Sequence, residues 1–187
     1  WQQMNTTTWA QWSEHVAERF AALRTEHDRV FVAGLSMGGA LAMRLAADQP
    51  EEVDGVVLVN PGINSTNPQL LAVPVAKWLI GSMPAIGNDI KRPGVDEFGY
   101  DRTPLKALAS MLKGWKQLRA DLGHVRAPLR IFRSEVDHVL DPSSVRIIEE
   151  RAGSASIQTT VMHDSYHVAT IDNDAQLIWT ESARFID

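Results

Sequence analysis

Apolar and polar positions along the chain follow two alternating rhythms. Residues 29–33 (Arg-Val-Phe-Val-Ala) and 54–60 (Asp-Gly-Val-Val-Leu-Val-Asn) are short runs dominated by apolar side chains. Two further strand-like runs follow at 127–133 and 157–162, the second of them alternating. Continuous apolar runs of this length suit strands buried on both faces of a parallel sheet. Between the runs the period lengthens. Over residues 8–26, Trp9, Trp12, Val16, Phe20 and Leu23 recur every three or four positions, which predicts an amphipathic helix with the tryptophans on its core side. Residues 40–47 are small and apolar and predict a helix lying close on the sheet. A helix is expected over 143–151, and another over 173–185 with Leu177, Ile178 and Phe185 inward and Asp172 or Asn173 as its cap. Strands alternating with helices predict an α/β fold, a mostly parallel sheet with helices on both faces.

The rhythm breaks between Pro61 and Ala127. Prolines and glycines there separate short apolar segments at 70–73, 75–80 and 105–118. This divides the chain into a core made of 1–60 and 127–187 and an insertion over 61–126.

Residues 31–39 read Phe-Val-Ala-Gly-Leu-Ser-Met-Gly-Gly. A strand running into Gly-x-Ser-x-Gly and straight on into a helix is the arrangement of a nucleophile elbow. The turn strains Ser36 and lifts its hydroxyl clear of the sheet. Gly34 and Gly38 are expected where strand and helix approach too closely for a side chain. Ser36 stands at a helix N-terminus, where free N–H groups favour negative charge. The N–H of Met37 is placed to donate to an oxyanion beside Ser36.

In chains with this elbow the acid follows a later strand and the histidine follows the last one. Strand 127–133 leads into Ser134-Glu135-Val136-Asp137-His138, and strand 157–162 into His163-Asp164-Ser165-Tyr166-His167. Asp137 is favoured over Asp141, because Asp141 precedes Pro142 and suits a cap for the 143–151 helix. His167 is favoured over His163, which sits too near its strand to reach across. His15, His27, His124 and His138 read as solvated or structural. Ser36, Asp137 and His167 then share the C-terminal edge of the sheet, where open parallel sheets carry their sites.

Composition narrows the field. At 187 residues and 44% hydrophobic the chain can bury one sizeable core. A net charge of −5 without a Lys/Arg run argues against a nucleic-acid partner. No apolar stretch approaches the length of a membrane span, and no leader is visible. The absence of cysteine excludes disulfides, thiol catalysis and thiolate metal sites; a cytoplasmic location is the expectation.

Gly34-Leu35-Ser36-Met37-Gly38-Gly39, Asp137-His138-Val139 and Ser165-Tyr166-His167-Val168-Ala169-Thr170-Ile171-Asp172 resemble the α/β-hydrolase superfamily, and within it bacterial monoacylglycerol lipases and related carboxylesterases. Asn60, Lys91-Arg92-Pro93 and Thr103-Pro104 share in the likeness. The resemblance implies that 61–126 is a helical cap over the site, with Leu71, Val75, Leu79, Ile80, Ile86 and Leu112 as acyl contacts. It implies that Glu97 reads glycerol hydroxyls and that Asn60 and Ile86 touch substrate. Ester or monoacylglycerol hydrolysis by a Ser-His-Asp triad is implied, with no metal or organic cofactor.

The resemblance also implies strands before the elbow, with a His-Gly loop supplying a second oxyanion donor, that this chain does not show. The expectation is an N-terminally truncated member whose sheet edge is open. That edge would be covered by an oligomer partner or by an N-terminal segment. An acyltransferase or perhydrolase would use the same triad, and an impaired binding protein would lack the oxyanion loop.

Overall fold

A computed structural model describes residues 1–187. Four parallel strands form the central sheet: β1 (Phe31–Leu35), β2 (Gly55–Val59), β5 (Leu129–Ser134) and β6 (Ile157–Met162), in the order β1-β2-β5-β6. The outer flank of β1 carries no partner, so the strand leading into the elbow is an edge strand. All of β2 is buried, whereas β1 is only partly covered.

Alternate residues of the inner strands feed two cores. Val56, Leu58, Leu129 and Ile131 face the larger one, built with α1 (Trp9–Arg24), α2 (Met37–Asp48), α4 (Leu105–Asp121) and α5 (Ser143–Arg151). Val57, Val59 and Phe132 face the other side, where Ile178 of α6 (Ala175–Ile186) covers them. Thr8 starts α1 with a capping box that includes Gln11, which ties down two N–H groups a helix start leaves free. Trp9 and Phe20 are buried on its inner stripe, while Leu23 reaches the surface.

The insertion is shorter than its composition suggested. α4 was expected within the cap, yet Trp115 and Leu118 sit in the main core beside α2. Its apolar stripe is matched to the sheet-side helices, and burial of that stripe outweighs the Pro-rich flank. What lies outside the core is the stretch from Asn64 to Pro104. It holds the short helix α3 (Val73–Ala76) and an antiparallel pair, β3 (Ser82–Pro84) with β4 (Arg102–Pro104).

Candidate active site

β1 ends at Leu35 and α2 begins at Met37, leaving Ser36 alone in the turn at φ 53°, ψ −115°. Such a backbone is costly for a residue with a Cβ. Its neighbours hold it there: Ser36 N–H donates to the Val59 carbonyl at 3.0 Å, and Gly62 N–H donates to the Ser36 carbonyl at 3.0 Å. Gly34 is required by close approach, since a Cβ there would lie 2.3 Å from the Gly38 backbone. Gly38 is not; a Cβ at that position meets nothing within 4 Å, contrary to expectation.

Asp137 lies just beyond β5. One carboxylate oxygen accepts the N–H groups of Val139 and Leu140, each at 2.8 Å. The other faces Nδ1 of His167 at 2.8 Å, and both side chains are less than a tenth exposed. An imidazole so held directs its Nε2 away from the carboxylate. The competing residues are engaged elsewhere. His163 pairs with Glu135 at 2.9 Å on the surface, and His15, His27 and His124 are exposed.

Asp141 was expected to cap α5, but the N-cap position is held by Pro142; Asp141, one residue earlier, accepts the Ser143 N–H at 2.9 Å and binds Thr66 through its other oxygen. Burial opposes its charge, but these bonds outweigh that and lower its pKa from 3.8 to about 2.

Asn60 was expected at the substrate, and the structure assigns it other contacts. It is buried at the end of β2 with φ 42°, a conformation asparagine tolerates better than most residues. Its amide nitrogen donates to Ser134 Oγ at 3.0 Å and to the His167 carbonyl at 2.7 Å. Its oxygen accepts Ser134 N–H at 2.7 Å. The side chain therefore joins the loop after β5 to the loop carrying His167, with no polar atom left for a ligand.

Ser36, Met37, Asp89, His167, Ile86 and Glu97 line one cavity of about 300 Å³. Met37 stands in the first helical turn, whose N–H groups have no acceptor within the helix. Leu71, Val75, Leu79 and Ile80 do not line this cavity; all four are exposed at the surface. Leu112 lines a separate groove. Of the expected apolar contacts, Ile86 alone borders Ser36 and His167.

Two buried carboxylates make contacts that the sequence does not signal. Asp89 accepts the N–H groups of His138 and His167 at 3.2 and 3.1 Å, and its second oxygen meets His138 Nδ1 at 2.7 Å. Its own carbonyl accepts Val168 N–H at 3.1 Å. Asp172, expected as a helix cap, instead gathers the N–H groups of Lys91, Arg92, Tyr166 and Asn173. Burial works against its ionisation, and those four bonds prevail, so its pKa is lowered. Lys91 adds an ion pair to Asp164 at 2.6 Å. The loop bearing Ile86 and Glu97 is thus fastened to the loop bearing His167. Nothing within a few residues of Asp89 or Asp172 signals this, because most of the partners are distant in sequence. No group of three or more His, Cys, Asp or Glu side chains is arranged to hold a metal ion.

Comparison with known proteins identifies the family and the fold. Residues 2–174 match the family model described as "Serine aminopeptidase, S33". A thermostable monoacylglycerol lipase of Bacillus sp. (strain H-257) is 32% identical over 99% of this chain and 73% of its own length. A carboxylesterase of Bacillus subtilis is 19% identical over 94% of this chain and 71% of its own. A solved structure from work on LipS and LipT, two metagenome-derived lipolytic enzymes, superposes with a TM-score of 0.93 at 33% identity. It covers 98% of this chain and 75% of that one. The Paleococcus ferrophilus monoacylglycerol lipase shares the fold, with a TM-score of 0.78 at 16% identity. The family match over residues 2–174 and the relative at 32% identity show that this chain belongs to the serine aminopeptidase S33 family, as an α/β-hydrolase resembling the bacterial monoacylglycerol lipases.

Proposed function

We propose that this chain is a serine hydrolase acting on carboxylic esters, monoacylglycerols among them. The observation that carries the reading is the Asp137–His167 bond of 2.8 Å, with His167 lining the cavity that Ser36 also lines. Ser36 Oγ attacks the ester carbonyl while His167 Nε2 takes its proton. Asp137 holds the ring and stabilises its charged form. The negative oxygen of the tetrahedral intermediate receives the Met37 N–H. Collapse breaks the carbon–oxygen bond to the alcohol, and His167 returns the proton to that leaving oxygen. Water, deprotonated by the same nitrogen, then releases the acid and restores Ser36.

Ile86 supplies an apolar wall for the acyl chain. The carboxylate of Glu97 is an acceptor for the hydroxyls of a glycerol head. Both line the Ser36 cavity, which supports these roles. Amide cleavage is the second reading, because the family description names an aminopeptidase.

The test is hydrolysis of p-nitrophenyl butyrate, 1-monolauroylglycerol and leucine p-nitroanilide by the chain and by Ser36→Ala. The expected result is ester cleavage that falls roughly 1,000-fold or more in the variant. Faster cleavage of the anilide than of either ester would favour the amidase reading. Ester cleavage unchanged in the variant would overturn the assignment of Ser36. Full activity of Glu97→Gln on the glycerol ester would remove the role of Glu97.

A further inference from the structure

A second cavity, of about 560 Å³, lies between the insertion and the outer side of α4 and shares no residue with the Ser36 cavity. Its size falls within the roughly 300–1,000 Å³ of small-molecule sites. Lys77, Lys113, Lys116 and Arg119 line it, and no aspartate or glutamate does. Lys113, Lys116 and Arg119 recur every third residue, so they share one side of α4. None of the four forms an ion pair anywhere in the structure.

In a chain whose net charge is −5, four unpaired cations in one groove are a local reversal of sign. Arg119 makes the imbalance sharpest. It is half-buried, and its one protein acceptor is the Ile63 carbonyl, a dipole with no charge to offset its own. Burial, and then the neighbouring Arg151, lower its pKa, which marks a guanidinium short of negative charge. Asp141 does not supply it, because its oxygens are taken by Thr66 and Ser143.

The rest of the wall is mixed: Asn64, Ser65 and Asn67 are polar, and the remaining residues are apolar. Leu71 and Leu112 line the groove beside the cations, and Leu71 is 83% exposed. A ligand that satisfies both parts carries one anionic head and an aliphatic chain. We propose that this groove binds a single-chain fatty-acid anion, its carboxylate among Lys113, Lys116 and Arg119 and its chain along Leu71 and Leu112. The choice of a carboxylate head rests on the ester-hydrolase reading, since that is the anion such a reaction releases. Occupancy of the groove does not require turnover.

The experiment is calorimetric titration of laurate, below its micellar concentration, into the Ser36→Ala protein, alone and combined with Lys113→Gln and Lys116→Gln. These lysines are exposed, so the fold tolerates their replacement; matching thermal transitions check it. Dodecanol, which has the chain without the charge, and inorganic phosphate, which has the charge without the chain, are titrated in parallel. The expected result is laurate binding that weakens about tenfold or more when both lysines are replaced, and that weakens with salt. Dodecanol binding, if measured at the Ser36 cavity, is expected to be unchanged by the two substitutions.

No binding of laurate, or equal binding with and without the lysines, overturns the proposal. Phosphate binding as tightly as laurate, with the same dependence on the lysines, also overturns it, because the groove would then be a small-anion site. These results are separable from the ester-hydrolase test, which is read from turnover in the unsubstituted chain.

Discussion

A carboxylate oxygen of Asp89 lies 2.7 Å from Nδ1 of His138, across 49 residues of sequence, and the other oxygen holds the backbone of both His138 and His167. One side chain of the insertion therefore sets the position of two neighbouring loops. Asp89→Ala leaves two N–H groups without an acceptor, at about 1–3 kcal/mol each. The expected loss of stability is roughly 2–5 kcal/mol, read from the denaturant midpoint. Asp89→Asn keeps an oxygen for both N–H groups and is expected to cost under about 1.5 kcal/mol. In Asp89→Ala kcat on p-nitrophenyl butyrate should fall more than KM changes, because the loop carrying His167 loses this anchor while the acyl wall is kept.

Asn60→Ala removes the bonds to Ser134 and to the His167 carbonyl, and places a Cβ-bearing residue without local support at φ 42°. The expected cost is about 3–5 kcal/mol by thermal or chemical unfolding. Asn60→Gly relieves the backbone and loses only the bonds, so it should be less harmful than Ala. The reverse order of the two variants would contradict a purely positional role.

The elbow glycines should behave differently from one another. Gly34→Ala forces a Cβ to within 2.3 Å of the Gly38 backbone, and no flexible side chain is there to yield. Little folded protein is expected, as judged by circular dichroism and yield. Gly38→Ala meets open space and gains helix propensity of up to about 1 kcal/mol. Its unfolding midpoint should stay level or rise.

Asp141 gives the chain a defined acid sensitivity. Its pKa in the fold is about 2 against an ordinary 3.8, so the folded state binds its proton less readily than the unfolded one. The resulting stabilisation is fully present above about pH 4 and is lost as pH falls from 3.8 through 2. Asp141→Asn should therefore be less stable than the parent at pH 6, with the gap closing toward pH 2. A gap that stays constant across that range would mean that the carboxylate charge contributes nothing.

Much of the framework is legible from local pattern alone. The strand runs read at 29–33, 127–133 and 157–162 end within two residues of the observed ends at Leu35, Ser134 and Met162, and the Asp-Pro pair before a helix signals that Asp141 accepts the helix's first N–H. Long-range bonding is what the pattern cannot carry. Asn60 looks like a polar residue free at a strand end, and only the fold reveals that its amide is used up by residues 74 and 107 positions away. Asp89 lies in a polar stretch with no periodicity, and its partners come from loops 49 and 78 residues on. α4 has the stripe of a core helix, but the prolines before it hide which side of the molecule it joins. Leu71, Val75 and Leu79 are as apolar as any core residue, and nothing in their spacing tells a wall of the cavity from an outer surface.

Ser36 sits at φ 53° whether or not its hydroxyl is ever used. A glycine in its place would adopt that backbone without penalty, so Ser36→Gly is expected to outlast the parent on heating while hydrolysing nothing. The chain is thus kept permanently short of its own best stability by one residue.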